Sequence, residues 1–134
     1  MPFVVDASIT AGWAFLENHP RTEFAFERLL LESAAAPALW WYEVRNLLIV
    51  RERSQHRNAA NTEAFLALLA TLPILLDHVP VEREVLRLAR AHKLPVYDAA
   101  YLELAGRQRI PLATLDTDLL RAARAEGIAI VQEK

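Results

Sequence analysis

The chain has 134 residues, 54% of them hydrophobic and 24% charged, which is enough for one buried core and is not the profile of a disordered chain. Its net charge of −2 provides no basic field for holding nucleic acid, so a role of that kind would need a local site. With no cysteine, a disulfide framework, a thiolate metal site and a thiol nucleophile are all excluded, and a cytoplasmic setting fits.

Phe3-Val4-Val5 predicts a buried strand, followed by a helix over Ala7 to Leu16 that stops near Asn18-His19-Pro20. The opening residues lack a basic region ahead of an apolar run, so no signal peptide is expected. Helical spacing returns over Arg21 to Ser33, through Phe26, Leu29 and Leu30. Pro37 to Trp40 then predicts a short strand, and Trp41 to Arg53 a helix with Val44, Leu47 and Leu48 at core spacing. Arg51 to Asn58 is a polar segment before a helix over Asn61 to Leu72, with Phe65, Leu68, Leu69 and Leu72 as its stripe. Apolar runs such as Phe65 to Leu76 are too short to cross a bilayer, so no membrane span is expected.

Pro73 and Pro80 bracket a strand over Ile74 to Val79, and Val81 to His92 is helical. Tyr97 to Gln108 places Tyr97, Tyr101, Leu104 and Ala105 on one helix face. Leu112 to Leu115 predicts a strand, Thr117 to Glu126 a helix ended by Gly127, and Ile128 to Val131 a last strand. Wholly apolar strands alternating with helices predict a single α/β domain over residues 1–134, with a mostly parallel sheet covered on both faces.

Ligands of open parallel sheets bind at the carboxyl ends of the strands. Asp6 closes the first strand and Glu43 falls in the first turn after the second. Asp98 opens the Tyr97 helix, Asp116 closes the Leu112–Leu115 strand, and Asp118 follows it. Taken singly, Asp6 and Asp116 read equally well as helix caps, and Asp98 as a first-turn charge. Glu43 is not a cap type, and Asn46 shares its face one turn on. A carboxylate cluster without histidine or cysteine ligands suits hard cations such as Mg²⁺ or Mn²⁺, which assist phosphodiester hydrolysis.

Four runs resemble the motifs of PIN-domain ribonucleases, in order and through nearly the whole chain. Val4-Val5-Asp6-Ala7-Ser8 resembles the first, and Trp41-Tyr42-Glu43-Val44-Arg45-Asn46-Leu47-Leu48 the second. The third is similar to Val96-Tyr97-Asp98-Ala99-Ala100-Tyr101-Leu102-Glu103-Leu104-Ala105, and the fourth to Leu112-Ala113-Thr114-Leu115-Asp116-Thr117-Asp118-Leu119-Leu120. The compact length resembles the VapC toxin branch. The resemblance implies a PIN-like fold, an α/β arrangement with a five-stranded, mostly parallel sheet in the order 3-2-1-4-5 and helices on both faces. It also implies cleavage of single-stranded RNA with Mg²⁺ or Mn²⁺, a homodimer, and inhibition by a small VapB-type antitoxin. The implied catalytic residues are Asp6, Glu43, Asp98 and Asp116. Asp118 shares the fourth motif as an alternative metal ligand, and Ser8, Asn46 and Thr114 are in support.

Other residues have plainer readings. His19, His56, His78 and His92 lack paired ligand spacing and read as surface residues. Trp13, Trp40 and Trp41 read as core or interface aromatics. Arg51, Arg53 and Arg57 read as a solvated interhelical loop, with contact to RNA or antitoxin as the functional alternative. With only three glycines a phosphate-binding loop is excluded, and with only Lys93 and Lys134 an aspartyl-phosphate chemistry has no suitable lysine. A PIN-fold processing nuclease outside a toxin pair, and a non-catalytic interaction module, are the competing expectations.

Overall fold

The computed structural model describes residues 2–54 and 57–132; the expectation for His56 lies outside them. The elements run β1 (Phe3–Val5), α1 (Ala7–Ala14), α2 (Pro20–Leu29), β2 (Ala34–Pro37), α3 (Leu39–Arg53) and α4 (Ala59–Leu69). They continue with β3 (Ile74–Asp77), α5 (Glu82–His92), α6 (Val96–Gln108), β4 (Leu112–Ala113) and α7 (Thr117–Ala125).

The strands form one sheet in the order β3-β2-β1-β4, all parallel. Successive strand residues point to opposite faces, yet Phe3, Val4 and Val5 are all fully buried. That burial requires cover on both faces, which the helices provide. Helix α6 crosses β2, β1 and β4 with α5 and α7 packed beside it, while α1 packs on α2 and α3, and α3 on α4 and β2. The α/β class and the parallel order therefore match the expectation.

The strand count does not. Five strands were expected, and the fifth position holds a single parallel bridge between Leu112 and Ile130. Leu112 N–H donates to Ala129 O at 2.9 Å, and Val131 N–H donates to Leu112 O at 2.9 Å. With β4 itself only two residues long, there is no further ladder for the Ile128–Val131 segment to extend.

The second strand is also displaced. It occupies Ala34–Pro37, upstream of the expected Pro37–Trp40, and α3 begins at Leu39. Alanine favours helix, so propensity hid a strand that its neighbours impose. Ala34, Ala35 and Ala36 are buried between β1 and β3, where small side chains let α6 and α3 approach. Helix α6 is buried on nearly all sides from Ala99 to Ala105, so its core face is wider than the expected stripe, and Tyr97 is exposed.

Two contacts set the helix layer beside β1. The Trp40 indole donates to Thr10 Oγ1 at 2.9 Å, and the Thr10 hydroxyl donates to Asp6 O at 2.9 Å, which ties the start of α3 to the start of α1. A methyl added at Gly12 would lie 2.9 Å from Thr22 Cγ2, so the α1–α2 approach requires glycine there. Gly127 has φ +72, the left-handed conformation that ends α7, as expected for a C′ glycine.

Candidate active site

Asp6 follows β1 at the carboxyl edge of the sheet and is buried. Its Oδ1 caps α1 by accepting from Ile9 N–H at 3.0 Å, and it also accepts from the Ser8 hydroxyl at 2.7 Å. The Thr114 hydroxyl donates to Oδ2. Ser8 Oγ accepts from Leu115 N–H and Thr114 Oγ1 from Asp116 N–H, both at 3.0 Å. Two hydroxyls thus join the end of β1 to the turn after β4. Burial pushes the Asp6 carboxyl up to about 6, against the opposing hydrogen bonds from Thr114, Ile9 and Ser8, and the charge of Asp116 adds to the rise.

Asp116 caps α7, its Oδ1 accepting from Leu119 N–H at 2.9 Å. Capping does not remove Asp116 from the acids: one oxygen closes a helix while the carboxylate acts electrostatically on Asp6. Asp118 is exposed and lies 3.5 Å from Arg121.

Glu43 is in the second turn of α3, not the first, because the helix starts two residues earlier than the sequence suggested. It is half-buried, and the Tyr101 hydroxyl donates to its Oε1 at 2.5 Å. Burial raises the Glu43 carboxyl, the Tyr101 hydrogen bond opposes the rise, and the Asp98 charge adds to it. Asp98, in the first turn of α6, is raised by burial and then by Asp116 and Asp118. Burial pushes the Tyr101 phenol far up, as do its bond to Glu43 and the charges of Glu43, Asp6 and Asp98. These influences link all five expected acids into one electrostatic neighbourhood.

The hydroxyl of Tyr101 was not read from the sequence as part of this neighbourhood; its apolar spacing concealed it. Its position three residues after Asp98, on the same helix face, was the available signal. Asn46 is exposed, one turn beyond Glu43. Arg51 and Arg53 belong to the last turn of α3 and not to a loop. The Arg51 guanidinium lies 3.7 Å from the Phe15 ring centroid, and Arg57 donates to Ala14 O and Asn61 O, both at 2.9 Å. Arg57 thereby joins the end of α1 to α4. Trp40 is buried and Trp13 packs against the core, whereas Trp41 is exposed.

The donor set suits a hard divalent cation: every acid offers oxygen, and among the described residues no ion pair involves Asp6, Glu43, Asp98 or Asp116. Among the described residues no three side chains already form a metal-holding group, so a cation would have to draw these carboxylates inward.

An open parallel α/β sheet with one buried carboxylate at the end of β1, and with partly buried and exposed acids from α3, α6 and the start of α7 acting on one another, defines a class of acid-lined, oxygen-donor sites. The PIN domain model matches residues 3–125, and the chain belongs to the PIN-domain family. No curated protein matches it in sequence. Solved structures share the fold. PAE2754 from Pyrobaculum aerophilum has 24% identity and a TM-score of 0.72, over 91% of this chain and 84% of that one. A toxin-antitoxin complex from Klebsiella pneumoniae has 17% identity and a TM-score of 0.64, over 98% of both chains. Mycobacterium tuberculosis VapC20, described as a sarcin-ricin loop cleaving toxin, has 20% identity and a TM-score of 0.63, over 97% of this chain and 98% of that one.

Proposed function

We propose that this chain is a Mg²⁺- or Mn²⁺-dependent endoribonuclease, the toxin of a VapBC-type pair, with residues 1–134 acting as one PIN-like domain. The observation that carries the reading is the set of linked carboxylates: burial and mutual charge raise Asp6, Glu43 and Asp98, and among the described residues no basic side chain offsets them. Such a site favours a cation strongly, because an incoming charge removes the repulsion that the fold tolerates.

Asp6, Glu43, Asp98 and Asp116 would hold the ion, with Asp118 at the rim. When bound, such an ion would supply charge neutralisation at the scissile phosphate and would lower the pKa of the attacking water. The protein's own groups set the geometry. Ser8 and Thr114 hold both oxygens of Asp6, and Tyr101 holds one oxygen of Glu43. Asn46, exposed one turn on, is assigned to the substrate strand. Arg53, exposed on α3, is the best placed of the three arginines for RNA or antitoxin; Arg51 and Arg57 already serve the α1–α3–α4 junction.

The fold shared with a toxin-antitoxin complex and with a toxin supports the VapBC assignment, with a small VapB-type antitoxin and a homodimer as partners. Among the described residues no helix is long and apolar enough to cross a membrane, and we assign the protein to the cytoplasm. The test is cleavage of single-stranded RNA by the purified protein. Cleavage should stop with EDTA and return with added Mn²⁺. Undiminished cleavage in EDTA, or none at any Mn²⁺ concentration, would overturn the reading.

A further inference from the structure

The acids are flanked by aromatic rings that the fold does not use. Tyr42 is 70% exposed and Tyr97 is 64% exposed, although both are large enough to fill a core. Each is the immediate chain neighbour of a half-buried acid: Tyr42 precedes Glu43, and Tyr97 precedes Asp98. The Tyr101 hydroxyl, one turn after Tyr97 on α6, donates to Glu43 Oε1 at 2.5 Å, which brings the α6 turn that follows Tyr97 against the α3 turn that follows Tyr42.

Trp41 extends this surface. It is 43% exposed, and the Tyr42 ring meets it edge to face with centroids 4.9 Å apart. The Arg45 guanidinium lies 4.0 Å from the Trp41 centroid and also donates to Trp41 O at 3.1 Å. A planar cation thus holds one face of the indole.

We propose that Tyr42 and Tyr97, with Trp41 held under Arg45, form a stacking platform for the unpaired bases of single-stranded RNA on either side of the phosphate presented to the acids. The proposal rests on the nuclease reading and names how that site engages its substrate. Exposed rings beside a cation are what a strand without fixed sequence needs, since every base offers a π-face. A second protein surface fits less well. The rings are interrupted by Glu43 and Asp98, and a close-fitting apolar face would bury both charges with only the Tyr101 hydroxyl on Glu43 to offset them among the described residues. The platform also explains how a chain of net charge −2 retains a polyanion: stacking contributes affinity that its overall field does not.

The test compares two short single strands of equal phosphate number, one with all bases and one with abasic positions, in Ca²⁺ with strand integrity checked by gel. Binding is read by quenching of tryptophan fluorescence and by anisotropy of a labelled strand. The parent should bind the base-bearing strand about tenfold tighter or more. Tyr42→Ala and Tyr97→Ala should each erase much of that difference, while Tyr42→Phe and Tyr97→Phe retain it. Equal binding of the two strands by the parent overturns the platform. So does an alanine variant that keeps the full preference, or one that changes only oligomeric mass in light scattering. A parent that cleaves RNA but shows no base preference loses the platform alone; one with base preference that never cleaves loses the nuclease reading alone.

Discussion

In metal-free protein, Asp6→Asn should raise the thermal midpoint, because the native chain ionises a buried carboxylate at this position at a cost. Burial moves the Asp6 carboxyl from 3.8 to about 6. At about 1.4 kcal/mol per tenfold change in proton affinity, full ionisation costs the folded state about 3 kcal/mol. Asp6 holds its proton more tightly folded than unfolded, so stability falls as pH rises from about 4 to about 6 and stays low above that. Asparagine caps a helix as well as aspartate does and can still accept from Ile9 N–H. It presents an amide N–H₂ to the Thr114 hydroxyl, which loses an acceptor and about 1 kcal/mol. The net gain at pH near 8 is about 2 kcal/mol, or roughly 5 °C for a domain of this size. The assay is thermal unfolding followed by circular dichroism in EDTA, from about pH 8 to about pH 4. The advantage of the variant should shrink as pH falls. A parent that is more stable at every pH, or a constant gap, would refute the reasoning.

Asp98→Asn should preserve the circular dichroism spectrum while RNA cleavage falls about 100-fold or more; full activity removes Asp98 from the site. Glu43→Gln should melt higher than the parent in EDTA and respond less to Mn²⁺, whereas equal Mn²⁺ shifts would separate Glu43 from the ion. Arg107→Met should cost about 3 kcal/mol in urea unfolding, because Arg107 pairs at 2.6 Å with the buried Glu103 and at 2.7 Å with Asp77. Adding Glu103→Gln should recover part of that loss. Gly12→Ala should cost about 1–2 kcal/mol, since its methyl would meet Thr22 at 2.9 Å; an unchanged urea midpoint would show that α2 shifts freely.

The elements most legible in the sequence were those with strong apolar patterns. Phe3-Val4-Val5 is a strand because three consecutive β-favouring residues are buried on both faces, whereas the sheet order was legible only through the resemblance to PIN domains. Ala34-Ala35-Ala36 was illegible for the opposite reason: its strand state comes from pairing with β1 and β3, not from its own propensity. That displacement moved the start of α3 and with it the turn assigned to Glu43. Asp6 and Asp116 were legible as residues that follow a strand and cap a helix; the contacts of Ser8 and Thr114 became concrete only as hydrogen bonds across the β1 and β4 ends. The hydroxyl of Tyr101 was hidden by its ring, which fits the core pattern while the oxygen reaches Glu43. Arginine spacing misled in another way: Arg57 reads as solvated, yet its donors close backbone carbonyls 43 and 4 residues away.

Anomalous scattering from a crystal soaked in Mn²⁺ tests the metal-dependent account most directly. A Mn²⁺ peak should appear with oxygen atoms of Asp6 and Asp98 in direct coordination, and with Glu43 or Asp116 completing the protein ligands. A crystal whose protein cleaves RNA in Mn²⁺ yet shows no peak between these carboxylates, or shows one only elsewhere, would contradict it.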